Sequence, residues 1–153
     1  MQHELVAIID VGKTTAKLLL VDARTGTLHW SRERAFTSVA AAGLRQLDVT
    51  VLGQWLLDIL ALAPDKRSIR QIVPVAHGAA AVLLDAQDQI LAAPDYEDHI
   101  YEQSDADYRK ARDPFALTGS PLLPQGLNLG RQLHYLQHRR PELYARCARV
   151  LLY

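Results

Sequence analysis

The residues Asp10 to Lys17, DVGKTTAK, gather a carboxylate, a glycine, lysines and two threonine hydroxyls into one short stretch. These are the groups that hold a metal-bound phosphate: an acid for the cation, and backbone N–H, hydroxyl and ammonium donors for the anion. The letters GKTT also end the nucleotide-binding P-loop. That motif needs an earlier glycine so that the backbone can curl around the phosphates. Ala7 stands there instead, inside the unbroken apolar run Leu5–Ile9, which suits a buried strand. The P-loop reading fails, and a strand tipped by an aspartate remains, followed by a tight turn through Gly12 and a second apolar strand.

In that arrangement Asp10 sits at a strand end, where it would hold Mg²⁺ mostly through water, because Mg²⁺ dehydrates reluctantly. Gly12 allows close backbone approach. Lys13, Thr14 and Thr15 supply the charge and donors for the terminal phosphates of ATP. Phosphoryl transfer asks mainly for such alignment and charge neutralisation. A hairpin with an ordinary polar tip would carry the same letters, so the loop alone leaves both readings open.

The surrounding elements must position this loop. Strands are expected over Leu5–Asp10, Ala16–Asp22 and Thr27–Phe36, the last two joined by a turn over Ala23–Gly26 in which the glycine takes positive φ. Arg32 and Arg34 interrupt the third strand and make it an outer one. After a polar, alanine-rich link, Leu52, Trp55, Leu56, Ile59, Leu60 and Ala63 recur at helical spacing, and Pro64 ends the helix. A fourth strand, Ile69–Ala76, follows, laid parallel to the first by the helical crossover. Pro74 predicts a distortion near its end. Further on, a small hairpin over Val82–Leu91 turns at Asp85–Asp88, and Asp95–Asp113 reads as an acidic surface excursion with one short helix. A helix marked by Leu129, Leu133 and Leu136, a shorter one from Pro141 to near Cys147, and a last strand complete the chain.

A chain of 153 residues, 49% of them hydrophobic, is enough for one domain with its own core. Lys plus Arg (17) equals Asp plus Glu (17), so no excess positive charge is present to bind a nucleic-acid backbone. The single cysteine, Cys147, excludes an internal disulfide and a cysteine zinc site, and suits a reduced cytoplasm. No apolar run reaches the ~20 residues of a membrane span. Met1–Glu4 lacks the start of a signal peptide. Val150–Tyr153 reads as an unfinished buried strand, from which a longer protein is expected; a small domain whose last strand docks into a sheet is the alternative.

Three stretches, in order, resemble the N-terminal domain of the FGGY carbohydrate kinases, the group that includes xylulokinase and glycerol kinase: IIDVGKTTAKLLLVD, VAHGAAAVLLDAQDQILAAPDYED from Val75, and LTGSPLLPQGLNLGRQLHYLQHRRPELYARCARVLLY from Leu117. The resemblance implies an α/β, ribonuclease H-like fold of the actin and hexokinase kind: a mixed sheet with an antiparallel opening meander and flanking helices. It implies that residues 1–153 are an incomplete N-terminal domain, and that the whole protein transfers the γ-phosphate of MgATP to a sugar hydroxyl. Gly12, Lys13, Thr14 and Thr15 then fall on the first phosphate loop, and Asp10 serves the metal. His77 and Gly78 fall on an MHG-like stretch that lines the sugar pocket. Tyr96 and Asp98 match a WND-like segment, and Gln125 and Asn128 lie near another substrate-facing turn. The chain departs from the family pattern at Lys13, Ala76 and Glu97. The family's catalytic aspartate is expected beyond Tyr153, so this chain is expected to lack kinase activity alone. Its partners would be a small-molecule sugar and the remainder of the kinase, including a C-terminal domain. A face left bare would favour self-association into a homo-oligomer.

The other chemically capable residues read more plainly. Asp95, Glu97 and Asp98 form a solvated acidic loop, with Asp98 distinguished only by its alignment to sugar-contacting positions. His134 and His138 lie one helical turn apart without a third metal ligand, so a polar helix face is expected. Arg139 and Arg140 are expected to be solvated, and Cys147 to be a buried, inert thiol. The alternative to the kinase is a non-catalytic ribonuclease H-like module that binds a nucleotide, sugar or protein. A nuclease would need clustered carboxylates around two metals, and Asp10 has no strand-end companion.

Overall fold

The computed structural model describes residues 4–152. Met1–His3 and Tyr153, which belong to the N-terminal and last-strand readings above, lie outside the described residues. In chain order the elements are β1 (Leu5–Val11), β2 (Thr15–Asp22), β3 (Leu28–Ala35), β4 (Val39–Ala41), β5 (Leu44–Gln46), α1 (Val49–Leu62), a single 3₁₀ turn (Lys66–Ser68), β6 (Ile69–Ala76), β7 (Ala81–Leu84), β8 (Ile90–Ala92), a 3₁₀ helix (His99–Ser104), α2 (Asp105–Ala111), α3 (Phe115–Thr118), α4 (Leu129–Arg139), α5 (Pro141–Tyr144) and β9 (Arg149–Leu152). They form two compact units, one over residues 4–38 and 48–77, the other over 39–47 and 78–152.

The first unit is a four-stranded mixed sheet in the order β3-β2-β1-β6, with β1 antiparallel to β2 and parallel to β6. Strand alternation explains its core. Leu5, Ala7, Leu18 and Leu20 point to one face and are fully buried there with Ala63, beside Ile9, Trp30, Ile59 and Leu60. Asp10 alternates with these residues and lies on the opposite face. Helix α1 starts where the Asp48 carboxylate accepts from the Val51 N–H at 3.1 Å. It stops where Ala63, before Pro64, turns extended (φ −60°, ψ 134°). The Trp55 ring meets Phe36 edge-on at 5.8 Å. Gly26 takes φ 72° in the β2–β3 turn, as that turn requires.

Pro74 produces no distortion. It pairs with Ile9 in an unbroken register, and the one irregularity between β1 and β6 lies at Leu5/Val6. β6 is the last strand of this sheet, and an edge tolerates a residue without an N–H. Its residues from Arg70 to Ala76 are all exposed, including Ile72, Val73 and Val75.

The second unit holds a three-stranded sheet, β8-β7-β9, a two-stranded ribbon, β4-β5, and the later helices. Its core is Leu44, Leu83, Tyr101, Tyr135 and Leu136. The ribbon corrects the link expected in that region. Ala42 and Gly43 both take positive φ, so a tight reverse turn folds the alanine-rich stretch on itself. The small hairpin is as expected. The Asp85 carboxylate accepts from the Gln87 and Gln89 N–H groups, both at 2.9 Å, and shapes its turn. The helix expected around Leu133 is α4, but its buried face is carried by Arg131, Gln132, Tyr135 and Leu136. The short helix from Pro141 ends at Tyr144, before Cys147. The acidic stretch carries a 3₁₀ helix as well as α2, and α3 follows it. Among the described residues no helix is long and apolar enough to cross a membrane.

Candidate functional site

In the first unit, β1 and β2 run in register up to Val11 and Ala16, and the loop between them closes when the Gly12 N–H donates to the Thr15 carbonyl at 3.0 Å. A Cβ on residue 12 would lie 3.1 Å from that same oxygen, so this close approach favours glycine. The Thr14 carbonyl accepts from the Phe36 N–H at 2.8 Å and ties the loop to the end of β3. Among the described residues, the Asp10 carboxylate and the hydroxyls of Thr14 and Thr15 are engaged by no hydrogen bond or ion pair. Lys17 stands opposite Asp10 in the ladder, but its ammonium pairs with Glu33 at 3.7 Å. A half-buried, uncommitted carboxylate in the same hairpin as two uncommitted hydroxyls has the donor chemistry for a hydrated Mg²⁺ that takes its remaining ligands from water and phosphate.

The parallel register brings a second candidate to the same sheet end. Asp10 pairs with Val75 and Val11 with Ala76, so His77 follows directly beyond the end of β6. His77 is half buried. Ligand-binding groups in open α/β sheets gather at such strand C-termini. Gly78 begins the second unit. A Cβ there would meet nothing within 4 Å, and its φ lies outside the positive region, so neither packing nor backbone strain in this chain calls for glycine at that position.

In the second unit the structure brings together three stretches far apart in sequence. The Gly126 N–H donates to the Tyr96 carbonyl at 2.7 Å, which links the DYED segment to the turn at Gln125. The Gln132 side chain donates from Nε2 to both the Ala79 and the Gly126 carbonyls at 2.6 Å, which adds the stretch after Gly78. Sequence reading missed Gln132. Its partners lie in two distant loops, so nothing local in the sequence marks it.

The sequence-selected residues of this unit are engaged as follows. Tyr96 is buried. Asp98 caps the 3₁₀ helix by accepting from the Ile100 N–H at 3.0 Å. Gln125 takes φ 50°, and its Nε2 lies 3.3 Å from His99 Nε2. Asn128 fastens its own loop, accepting from the Leu123 N–H at 2.8 Å and donating to the Pro121 carbonyl at 3.0 Å. Asp95 departs from the solvated loop expected of it. It is fully buried, with Arg45 Nε at 3.0 Å and the Glu97 N–H at 2.9 Å on its carboxylate. A buried carboxylate persists only with such partners.

The remaining polar groups are structural. Tyr101 is buried, and that burial, followed by Asp98, Asp95 and Tyr135, pushes its hydroxyl far above the usual tyrosine range. The His134 and His138 rings stack at 4.2 Å. Desolvation and then His138 hold the His134 pKa below its ordinary value, against a smaller opposing pull from Asp107. No group of three His, Cys, Asp or Glu side chains among the described residues is placed to hold a metal. Arg139 and Arg140 are not merely solvated: they donate to the Gln103 carbonyl at 3.2 Å and the Gly43 carbonyl at 2.7 Å. Cys147 is a free, half-buried thiol whose Sγ lies 3.3 Å from the Arg149 carbonyl.

The sheets and flanking helices make this an α/β chain with an uncommitted acid-and-hydroxyl loop at one strand end, and the solved structures it resembles are carbohydrate kinases. The whole chain superposes on 32% of a carbohydrate kinase from Novosphingobium aromaticivorans, at 38% identity and a TM-score of 0.87. It also matches 31% of a gluconate kinase from Lactobacillus acidophilus over 96% of its own length (19% identity, TM-score 0.71). A xylulose kinase from Rhodospirillum rubrum is matched over 32% of its chain and 95% of this one (20% identity, TM-score 0.73). The last two likenesses establish the fold alone. No protein-family model and no curated protein matches the chain. The chain therefore resembles the FGGY carbohydrate kinases, and it spans about a third of the length of the structures it matches, consistent with their N-terminal domain.

Proposed function

We propose that this chain is the N-terminal part of an ATP-dependent carbohydrate kinase, with a ribonuclease H-like core, that acts on the γ-phosphate of MgATP and a sugar hydroxyl. The observation that carries this reading is the register of the first sheet. It sets Asp10 and the Gly12–Thr15 loop at the same strand ends as His77, in a chain that is 38% identical throughout to a carbohydrate kinase. Asp10 would hold the metal, which when bound neutralises charge on the phosphates. The Thr14 and Thr15 hydroxyls and the loop N–H groups would donate to the phosphate oxygens, with Lys13 adding positive charge. His77 would hydrogen-bond a sugar hydroxyl, and the bare space at Gly78 leaves room for a ligand to approach the backbone. Tyr96, Asp98, Gln125 and Asn128 are the further sugar-facing candidates. In the present chain Asp98 and Asn128 also hold their own loops together.

The exposed apolar residues Ile72, Val73 and Val75 of β6 support a partner surface for the remainder of the kinase, which would supply the catalytic aspartate. Left uncovered, the same strand would favour self-association. A cytoplasmic setting fits the single free thiol. The test is a phosphorylation assay of a ketose panel with MgATP. The isolated chain is expected to bind MgATP without turnover. Steady turnover by the isolated chain would overturn the assignment of the catalytic base to the remainder of the protein.

A further inference from the structure

Among the described residues, β3 closes one side of the first sheet, and no strand pairs with its outer edge. The direction of its backbone follows from one bond. The Phe36 N–H donates to the Thr14 carbonyl at 2.8 Å, and in an antiparallel ladder bonded pairs alternate with non-bonded ones. The bonded pairs along β3 are therefore Ala16 with Arg34, Leu18 with Arg32 and Leu20 with Trp30. The N–H and C=O groups of Ser31, Glu33 and Ala35 point the other way, out of the sheet edge, and all three residues are exposed.

The side chains divide by the same alternation. Trp30, Arg32, Arg34 and Phe36 share the face that carries Leu18 and Leu20 on β2. Trp30 packs against the core, and Phe36 meets Trp55 of α1. These two rings hold the two guanidiniums between them: Arg32 lies over Trp30 at 4.9 Å and Arg34 over Phe36 at 5.3 Å. Arg32 Nη1 also donates to the Ser31 carbonyl at 2.8 Å, which sets that guanidinium beside the outward backbone groups. The carbonyl keeps a second lone pair. Among the described residues neither arginine has a carboxylate partner. The acid of the same strand, Glu33, lies on the other face with Lys17 at 3.7 Å.

Charges on an edge keep off strands that cannot match them. Two copies of β3 laid edge to edge would gather four guanidiniums on one face, with no carboxylate of either strand among them. An extended segment with acids two residues apart would instead set one carboxylate opposite each arginine, because side chains on one face repeat every second residue in both strands. The acid-x-acid pattern occurs in this chain at Asp95–Glu97 and Asp105–Asp107. Asp95 is fully buried against Arg45, and the second pair lies within α2, so neither is available to pair. We propose that the open edge of β3 docks an extended acidic segment of a partner protein. The segment adds as a strand beside β3, with backbone bonds to Ser31, Glu33 and Ala35 and carboxylates on Arg32 and Arg34. This inference rests on the first sheet alone and is independent of the kinase reading.

The test is an NMR titration of the isotope-labelled full chain with the blocked peptide Thr-Val-Glu-Thr-Glu-Val-Thr. Its counterparts carry glutamine or lysine in place of both glutamates, or N-methyl groups along the backbone, and a dT oligonucleotide serves as a second polyanion. The glutamate peptide is expected to shift the amides of Ser31, Glu33 and Ala35 and to bind about tenfold more tightly than the glutamine peptide, the worth of two cross-strand charge pairs. N-methylation should abolish binding. Ser31→Pro removes an outward N–H and leaves the bonds to β2 in place, so it should weaken binding while the melt stays near that of the parent. Arg32→Glu combined with Arg34→Glu should reverse the preference toward the lysine peptide, a result that a merely disordered strand would not give. Equal binding of the glutamate and glutamine peptides would overturn the docking edge, as would full binding after N-methylation. Stronger β3 shifts from the oligonucleotide would overturn it in favour of a nucleic acid, and concentration-dependent β3 shifts without peptide in favour of a second copy. Unmoved β3 amides at millimolar peptide would also overturn it and would leave the proposed kinase untouched.

Discussion

The amide of Gly126 and the carbonyl of Tyr96 meet at 2.7 Å, joining two loops separated by the 3₁₀ helix, α2 and α3. Gln132 then ties the same turn to Ala79. Three stretches that resemble kinase segments one by one are thereby held together by backbone hydrogen-bonding groups and one buried amide. The geometry of this candidate site depends on that packing as much as on the residues that would touch a ligand.

Gly126 is the position most sensitive to a single added carbon. A Cβ there would lie 2.6 and 2.8 Å from the Tyr101 ring and 3.0 Å from Gln132 Cγ, and Tyr101 is itself fully buried. Gly126→Ala is expected to destabilise the fold by about 1–3 kcal/mol, as overpacking does. Gly78→Ala, with open space around the new methyl, should stay within about 0.5 kcal/mol of the parent. Denaturant melts of the two variants give the comparison, and equal midpoints would refute it.

Gln132→Leu keeps the helix and roughly the side-chain volume but strands the Ala79 and Gly126 carbonyls. The buried Gly126 acceptor costs about 1–3 kcal/mol when left unpaired, and the part-buried Ala79 acceptor less. A lower denaturation midpoint with an unchanged slope is expected. A variant as stable as the parent would show that these two bonds contribute little.

The stacked histidines set a direction for the pH dependence of stability. The folded state holds His134 below its ordinary pKa of 6.5, chiefly by desolvation and then by His138. The unfolded chain therefore takes up a proton more readily, and stability rises with pH in this range. The contribution is complete above the ordinary histidine value and is lost as pH falls below it. His134→Gln should flatten that fall in melts taken on either side of pH 6.5; an unchanged profile would remove His134 as its source.

Much of the first unit was legible in the residues. Apolar runs, a glycine turn, a helical repeat ended by Pro64 and the crossover rule lead to β1, β2, β3, α1 and a parallel β6, as found. Legibility failed where a polar residue is bought into the interior by a distant partner. Asp95 looks solvated until Arg45 is folded against it, and Gln132 looks like surface until two loops supply its acceptors. The β4-β5 ribbon hid because Ala42, not only Gly43, adopts positive φ, a conformation that alanine rarely takes. Pro74 misled for the opposite reason: its effect depends on whether the strand has neighbours on both sides. Of the candidate site residues, the strand-turn-strand around Asp10 to Thr15 was readable because it is local, whereas the gathering of Tyr96, Gly126 and Ala79 is entirely tertiary.

The most direct measurement is a titration of the isotope-labelled chain with ATP, with and without Mg²⁺, in the parent and in Asp10→Asn. Asp10 is half buried and uncommitted among the described residues, so the substitution should leave the melt nearly unchanged. In the parent, MgATP is expected to shift the amides of Gly12, Lys13, Thr14 and Thr15, and Asp10→Asn should weaken that binding about tenfold or more. Binding that ignores Mg²⁺, survives Asp10→Asn at full strength, or leaves those four amides unmoved would contradict a phosphate loop at this strand end.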